Sequence, residues 1–251
     1  MMSKAIERIW NAIAFPEAAL LGKRVPKKQF LESGELVASD KKLFRENVKN
    51  VYWEYTLKSS TCLVLPYRDN EREYLEVAVL QVEMITQKGH KRIAEIIHRA
   101  IPYPLMLGFY TESGDIALSI APKRFSQAEQ GAFVAERFYT TSWMNSESFK
   151  TQEAAFVASL EWNSMPLQTY GTVYNAWADR FIAHECSVFT GAFTIGKAGE
   201  RLEQLTRCRE IELKISELRG QIKKVAFNRQ VELNIQIKKF EQELKQLAES
   251  L

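Results

Sequence analysis

The chain has 251 residues, of which 46% are hydrophobic, 11% aromatic and 26% charged, which are the proportions of an ordinary globular protein. They exclude the disordered, collagen-like and membrane classes. Because 34 Lys and Arg residues stand against 31 Asp and Glu residues, the net charge is only +3, and composition alone does not indicate a dedicated binder of nucleic acid or membranes.

The cysteines and the N-terminal segment indicate the cellular compartment. Cys62, Cys186 and Cys208 are odd in number and far apart, and no His lies at metal-ligand spacing from them. This pattern predicts neither a disulfide framework nor a zinc site, and it fits a reduced cytoplasm. Charged residues interrupt the apolar N-terminus, and no run approaches the ~18 apolar residues that span a bilayer. We therefore expect a cytoplasmic protein that makes no membrane contact.

The first third of the chain predicts two helices and a strand. Apolar side chains recur at helical spacing in residues 3–14, which predicts a short amphipathic helix. A basic loop is expected at residues 23–28. A second helix is predicted to run from Asp40, its capping residue, to Val48, and to lead into an alternating strand at residues 51–57.

The middle of the chain predicts the centre of a sheet. Residues 74–85 give the strongest strand signal, because they are rich in aliphatic and β-branched side chains, and we place this strand at the sheet centre. A helix over residues 91–100 follows. A hairpin is predicted from residues 105–111 and 116–121, and residues 133–141 are expected to add a further strand.

These elements predict the fold class as α/β (α+β), with a mixed β-sheet of about five strands flanked by helices. One or two helices are expected within residues 151–182, with their aromatic side chains packed in the interior. We assign residues 1–190 to this α/β body and residues 191–196 to a glycine-containing hinge. Residues 197–251 are predicted to form a long helical hairpin or coiled-coil arm.

The arm carries an apolar seam of coiled-coil type. Apolar residues step by four and three along two stretches, and the eight-residue step from Val225 to Leu233 interrupts the phase. The segment is therefore either two helices or one helix with a skip. The seam needs a partner, which is the other arm of a hairpin, a second copy that would form a homodimer, or another protein. The candidate interface residues are Leu218, Ile222, Val225, Leu233, Ile237, Phe240 and Leu244.

Motifs for nucleotide cradling and for hydrolase chemistry are missing from the sequence, and one enzyme hypothesis is left. Restriction-type nucleases place an acidic residue and an E-x-K or Q-x-K group on adjacent strands, where the carboxylates hold Mg²⁺. Glu76 and Glu83 lie on the predicted central strand, although neither begins such a tripeptide. A divergent Mg²⁺-dependent nuclease with these two catalytic glutamates is the alternative hypothesis, and otherwise no cofactor or metal is expected.

Basic residues cluster at several places and suggest contact with a phosphate backbone. Such contacts would make binding depend on salt. The alternative interpretation is a solvated polar face, because acidic residues are interspersed with basic ones in the arm. The candidates for nucleic-acid contact are Lys27, Lys28, Lys91, Arg92, Lys123 and Arg124.

A series of short motifs in a fixed order resembles a bacterial family known as domain of unknown function four-three-nine-one. The resemblance covers almost the whole chain. Family members usually carry Lys where this chain has Thr56 and a polar residue where it has Ala78. The motifs are F-P-E at 15–17, V-P-K-K at 25–28, V-Y-W-E-Y-T-L at 51–57, E-V-A-V at 76–79, I-P-Y-P at 101–104 and F-N-R-Q-V-E-L-N at 227–234.

The resemblance implies a context and no established activity. Proteins of this family look like accessory members of prokaryotic antiphage defence or restriction-modification-like systems, beside helicases and DNA methyltransferases. The leading hypothesis is therefore an accessory or adaptor subunit that binds a larger protein, such as a helicase or DNA methyltransferase, through its C-terminal helices. DNA is left open as a second partner, through the basic residues of the body.

Overall fold

The computed structural model describes residues 4–32, 36–129, 131–196, 198–222 and 225–251. The chain divides into two compact units, Met1–Phe181 and Ile182–Leu251. The helices of the described residues are α1 (Lys4–Ile13), α2 (Lys28–Leu31), α3 (Ala38–Asn47), α4 (Ser59–Cys62), α5 (His90–Ala100), α6 (Thr151–Ser159), α7 (Tyr170–Thr190), α8 (Ala198–Ile222) and α9 (Phe227–Ala248). The strands are β1 (Leu20–Val25), β2 (Val48–Lys58), β3 (Tyr67–Arg68), β4 (Glu73–Tyr74), β5 (Glu76–Met84), β6 (Leu105–Thr111), β7 (Asp115–Ile120), β8 (Lys123–Phe125), β9 (Phe133–Ala135), β10 (Tyr139–Thr140) and β11 (Met144–Asn145).

A mixed sheet organises the first unit. Its strands lie in the order β1-β2-β5-β6-β7-β10, and β11 also pairs with β7, which gives seven strands in the described part of the chain. Strands β5 and β6 are parallel and α5 connects them, whereas the other neighbours are antiparallel. The predicted fold class is confirmed. The sheet exceeds the predicted five strands because β1, whose side chains are mostly exposed, and the two-residue strand β11 carry little periodicity of their own.

The strand with the strongest sequence signal does lie inside the sheet. β5 pairs with β2 on one side and with β6 on the other, and its side chains are almost all buried. One face of this sheet packs against α5 and α3. The core on that face includes Phe44, Leu80, Val82, Ile93, Ile97, Leu107 and Phe109.

Helix α1 covers the opposite face of the sheet. Its side chains Ile6 and Trp10 lie against Gly108, and Gly108 is on the face opposite Leu107 and Phe109 because successive strand residues alternate between the two faces. The amphipathic helix predicted over residues 3–14 is confirmed as α1, and Trp10 is one of its buried side chains. A Cβ atom added to Gly108 of β6 would lie 2.6 Å from the Trp10 ring and 2.8 Å from Ile6. Gly108 therefore provides the space in which the indole ring rests directly on the sheet.

The predicted basic loop at residues 23–28 was wrong for its first half, since strand β1 ends at Val25. Most β1 side chains are exposed, so this strand lacks the apolar alternation that marks a strand in a sequence. The second predicted helix is α3, but Asp40 lies within its first turn and does not cap it. The strand expected at residues 133–141 is two short strands, β9 and β10.

The aromatic side chains between Trp162 and Phe181 pack in the interior, as predicted. Tyr174 shows how they fix the sheet: its hydroxyl donates to the Leu105 carbonyl at 2.8 Å and accepts from the Ala121 amide at 3.0 Å. One buried tyrosine thus ties the start of β6 to the residue that follows β7. Such a bridge satisfies backbone groups that the sheet leaves unpaired at strand ends.

The second unit contains a helical hairpin. Only residues 223–226 separate α8 from α9, and the two helices pack against each other. With so short a connection, packed helices run in opposite directions. The sequence left open two helices or one helix with a skip, and two helices are observed. Arg207 pairs with Glu243 at 3.0 Å across the hairpin, and Arg219 with Glu241 at 2.6 Å.

The predicted division into body, hinge and arm stays a prediction. Residues 191–196 lie between α7 and α8, and Lys197, the predicted start of the arm, lies outside the described residues. None of the helices in the described ranges combines the length and the apolarity that a bilayer crossing requires.

Candidate functional site

The two glutamates of the nuclease hypothesis are not brought together. Glu76 is the first residue of β5 and Glu83 the last but one, so at ~3.3 Å per residue their Cα atoms lie roughly 23 Å apart. Two carboxylates that share a Mg²⁺ ion must both lie within ~2.1 Å of it. Among the residues that the structure describes, no group of three acidic, His or Cys side chains could hold a metal ion. The pair does not form one metal site.

Glu83 belongs to a polar network at the end of β5. Its carboxylate accepts a hydrogen bond from the Asn50 amide at 2.7 Å and pairs with the Lys49 ammonium at 2.9 Å. Arg24 in turn donates to the side-chain oxygen Oδ1 of Asn50 at 2.7 Å. Burial acts to raise the pKa of Glu83, but the hydrogen bonds from Asn50 and Lys49 outweigh burial and lower it. Glu83 is therefore an ionised carboxylate whose negative charge is balanced by the Lys49 ammonium.

Sequence reasoning missed Glu54, which is the acidic side chain with the least ordinary environment. It lies on β2 at the bulge between Trp53 and Tyr55 and is only 6% exposed. Within the described ranges its carboxylate has no hydrogen-bond or ion-pair partner, and burial raises its pKa. Tyr110 is nearby. Its pKa is raised mainly by burial and by the charge of Glu83, and the charge of Glu54 makes a smaller contribution in the same direction. The one feature of the sequence that could have pointed to Glu54 is its position between two aromatic residues, Trp53 and Tyr55.

The basic residues predicted to contact phosphate are partly engaged by the protein itself. Lys27 donates to the Val48 carbonyl at 2.8 Å. Arg92 is held by the Asp40 carboxylate at 2.7 Å, and its hydrogen bond lowers the pKa of Asp40. Arg124 lies 3.6 Å from Glu136. Arg92 and Arg124 therefore have much of their charge compensated within the fold, and Lys27 is held by a backbone acceptor.

Lys28 and Lys91 are the two candidates that present their ammonium groups to solvent. Lys28 is exposed on α2 and makes a loose ion pair with Glu32 at 3.4 Å. Lys91 is exposed on α5. Helix α2 contacts α5, so these two residues lie on neighbouring elements of the first unit. A pair of surface lysines is a small charge for binding a nucleic acid.

Lys123 does not lie on the surface and cannot contact phosphate in this fold. Its side chain is 1% exposed, and its ammonium donates to the carbonyls of His98 and Ile101, the latter at 2.9 Å. These carbonyls end helix α5, where the last C=O groups have no partner within the helix. A cation is also favoured at the negative end of the helix dipole. Lys123 is therefore a buried cap of α5.

Lys123 should make the stability of the first unit depend on pH. Burial lowers its pKa from 10.5 to about 8 in the folded chain. Between these values the unfolded state binds more protons, so rising pH favours folding. As the pH rises from about 8 to about 10, the wild type should gain about 2 kcal/mol over Lys123→Met in urea unfolding.

Lys91→Met is the matched control for this measurement, because Lys91 is exposed on the helix that Lys123 caps. Its unfolding free energy should differ from that of the wild type by the same amount at both pH values. If the difference in unfolding free energy between the wild type and Lys123→Met is also the same at both pH values, the Lys123 amine has the pKa of an exposed lysine. That result would contradict the buried cap.

Most of the residues predicted as a partner interface lie on the inside of the hairpin, and Val225 lies in the loop between its two helices. Leu233 and Ile237 are buried, and the other described members of the set are partly buried. Ile237 lies in a core with Ile211 and Ile215 of α8, against which Leu218, Ile222, Phe240 and Leu244 pack. Of the three occupants that the sequence left open, the other arm of the hairpin fills the seam. The predicted interface residues are therefore not an open surface.

An apolar stripe lies instead on the outside of α9. Phe227, Val231 and Ile235 are 75%, 44% and 64% exposed. Their spacing of four residues places them on one side of the helix, and at 3.6 residues per turn this side lies roughly opposite Leu233 and Ile237. Exposed apolar side chains that form a contiguous patch commonly mark a binding surface. We name these three residues the outer stripe.

Comparison with known proteins gives one match. A family model with the description Domain of unknown function (DUF4391) matches residues 13–244. No curated protein and no solved structure matches the chain. The matched range includes the whole of the sheet and most of the hairpin, so the likeness extends over both units.

Proposed function

The chain belongs to the DUF4391 family, as its motifs predicted, and from this premise we propose that it is an accessory subunit which docks on a larger protein through the outer stripe of α9. The proposed setting is a prokaryotic antiphage defence or restriction-modification-like system, with a helicase or DNA methyltransferase as the larger protein. This setting is what the resemblance of the motifs implies. The proposal assigns no catalytic step to the chain.

The exposure of the outer stripe carries the proposal. Phe227, Val231 and Ile235 are exposed on a hairpin whose own seam is already filled. Burying one such side chain contributes roughly 1.5–3 kcal/mol of binding free energy. Three of them in a row, led by an aromatic ring, make the kind of small cluster that dominates a protein interface.

The geometry of the stripe favours a groove on the partner. Side chains at positions i, i+4 and i+8 of one helix fit the mode in which an amphipathic helix lies in an apolar groove. Lys238 and Lys239 are exposed further along α9. Arg229 lies beside the stripe and pairs with Glu232 of the same helix. These charges favour a groove with an acidic rim, since opposite charges at a rim guide docking.

DNA is not included in this proposal. Lys123 is buried, and Arg92 and Arg124 are ion-paired. Electrostatic affinity for DNA grows with the number of phosphates that free cations neutralise. The candidates that reach solvent freely, Lys28 and Lys91, would supply only a small part of a usual interface.

Replacing the outer stripe should release the partner and leave the fold intact. We expect Phe227→Ser, Val231→Ser and Ile235→Ser together to reduce co-purification of the partner by more than ~10-fold, since each lost apolar contact costs over 1 kcal/mol. The measurement is quantitative mass spectrometry of proteins retained by the tagged chain in its own cell. A helicase or DNA methyltransferase should be the protein that is lost. Helical circular dichroism should stay unchanged.

Leu213→Ser is the matched control, because Leu213 is equally exposed but lies on α8. It should retain the partner. Equal retention by the triple variant and the wild type would contradict the proposal. Light scattering tests the homodimer: if the triple variant changes a dimer into a monomer, the stripe binds a second copy and the proposal is again contradicted.

A further inference from the structure

Strand β1 is an open edge of the sheet. It is the first strand in the sheet order and pairs only with β2 among the described residues. No other described element packs extensively against it. An edge strand presents a row of unpaired N–H and C=O groups, which can pair with another extended chain. The edge therefore offers a backbone template to a partner.

The side chains of β1 make this edge both apolar and basic. Leu20 and Leu21 are exposed at its start, and Lys23 and Arg24 are exposed near its end. Residues 20–29 contain no acidic residue, whereas Lys27 and Lys28 follow the strand directly. Arg24 and Lys27 donate to uncharged oxygens, the Asn50 side-chain carbonyl and the Val48 backbone carbonyl, and among the described residues Lys23, Arg24 and Lys27 form no ion pair with a carboxylate. The positive charge of these three side chains is therefore not balanced.

We propose that β1 receives an extended acidic segment of a partner protein as an added strand of the sheet. The backbone of the segment would pair with the open edge, and its apolar side chains would contact Leu20 and Leu21. Because successive side chains alternate between the two faces of a strand, one carboxylate would face Lys23 on one side of the sheet and another would face Arg24 on the other. This is the β-strand addition by which several peptide-binding domains recognise their ligands. The proposal does not depend on the outer stripe, which lies in the other unit.

The same features disfavour two other occupants. A second β1 would bring Lys23 and Arg24 close to their own copies, and like charges facing across a strand pair are destabilising. A DNA backbone would satisfy the cations, but its phosphates accept hydrogen bonds and cannot donate to the open carbonyl groups of the edge. DNA would also leave Leu20 and Leu21 in water. An acidic peptide satisfies the cations, the backbone and the leucines together.

The bulge in β1 sets where pairing can occur. The register with β2 shifts between Leu20 and Lys23, and Gly22 within this shift has a φ of +60°. Bulges interrupt a ladder and protect edges from indiscriminate pairing. Regular pairing is therefore expected at residues 23–25, next to the cations, and the leucines are expected to supply side-chain contacts.

The test measures peptide binding to the full chain by fluorescence anisotropy. The probe is a labelled short peptide in which pairs of valines alternate with pairs of glutamates, so that each face of the added strand carries both side chains. It should bind the wild type, and the double variant Lys23→Glu, Arg24→Glu should weaken its binding by at least ~10-fold, as expected for loss of two charge pairs. The matched control is Lys42→Glu, Arg45→Glu on α3, which makes the same charge change at exposed positions and should bind as the wild type does.

A modified probe separates strand addition from simple charge attraction without altering the protein. The same peptide with every backbone nitrogen methylated keeps its charge and side chains but loses its backbone hydrogen-bond donors on both edges. It should bind at least ~10-fold more weakly than the parent peptide. Equal binding of the two peptides would overturn strand addition. So would preferential binding of a labelled DNA duplex that the Lys23 and Arg24 double variant abolishes.

Discussion

Replacing Trp10 by alanine should lower the free energy of unfolding by about 3–5 kcal/mol, the usual cost of removing a large buried aromatic side chain. The Trp10 indole is buried, packs edge-on against Tyr55 at 6.4 Å between ring centroids, and donates to the Gln81 side-chain oxygen at 3.2 Å. The substitution opens a cavity and leaves this buried acceptor without its donor. Urea unfolding followed by circular dichroism measures the loss.

Asn11→Ala is the control for this substitution, because Asn11 is exposed on the same helix. Its effect should stay within about 0.5 kcal/mol. Gly108 provides a second check. Gly108→Val in the wild type forces a side chain into the Trp10 ring and should cost about 1–3 kcal/mol, whereas in the Trp10→Ala background it should cost clearly less. Additive effects of the two substitutions would contradict the packing of α1 on β6.

Replacing Ile237 by aspartate should unfold the hairpin. Ile237 lies in the core between α8 and α9, where the smaller change to alanine would already cost roughly 2–5 kcal/mol. A carboxylate there has no cation partner in the core, so a further several kcal/mol of desolvation is expected. Amide hydrogen exchange on the full chain should show that α8 and α9 lose protection while β5 and β6 keep theirs.

Ile235→Asp is a control only two residues away. Ile235 belongs to the outer stripe and is exposed, so the same substitution should change stability by about 0.5 kcal/mol or less. It should instead weaken binding of the proposed partner. The two positions thus separate folding of the hairpin from docking on it. Equal loss of protection in both variants would contradict the observed orientation of α9.

The sequence predicted the elements whose burial leaves a strong periodic pattern. Strand β5 was found within a few residues because it is an almost continuous apolar run, and helix α5 because its apolar side chains recur with a period of 3.6 residues. Strand β1 was missed for the opposite reason: most of its side chains face water, and only pairing with β2 makes it a strand. Its structure depends on contacts distant in sequence, which local pattern does not contain.

The site was predicted less well than the fold. The apolar seam of the C-terminal helices was recognised, but a seam has the same pattern whether its partner is another protein or the preceding helix. Lys123 was taken for a surface cation because it stands beside Arg124 just after a predicted strand, whereas the end of α5 encloses it. Glu54 belongs to no known catalytic motif. Its burial depends on the bulge of β2 between Trp53 and Tyr55, which the sequence does not reveal.

A hairpin that fills its own seam has a kinetic consequence for any protein that docks on it. Its helices are ordered before an encounter, so the outer stripe is presented without a coupled folding step. Segments that fold on binding lose about 2–5 kcal/mol of the interaction energy to ordering, and this loss is absent here. Association should then proceed at the ordinary rate of preformed surfaces, roughly 10⁵–10⁷ M⁻¹s⁻¹. The lifetime of the complex, set by Phe227 and its two neighbours in the stripe, would determine the affinity.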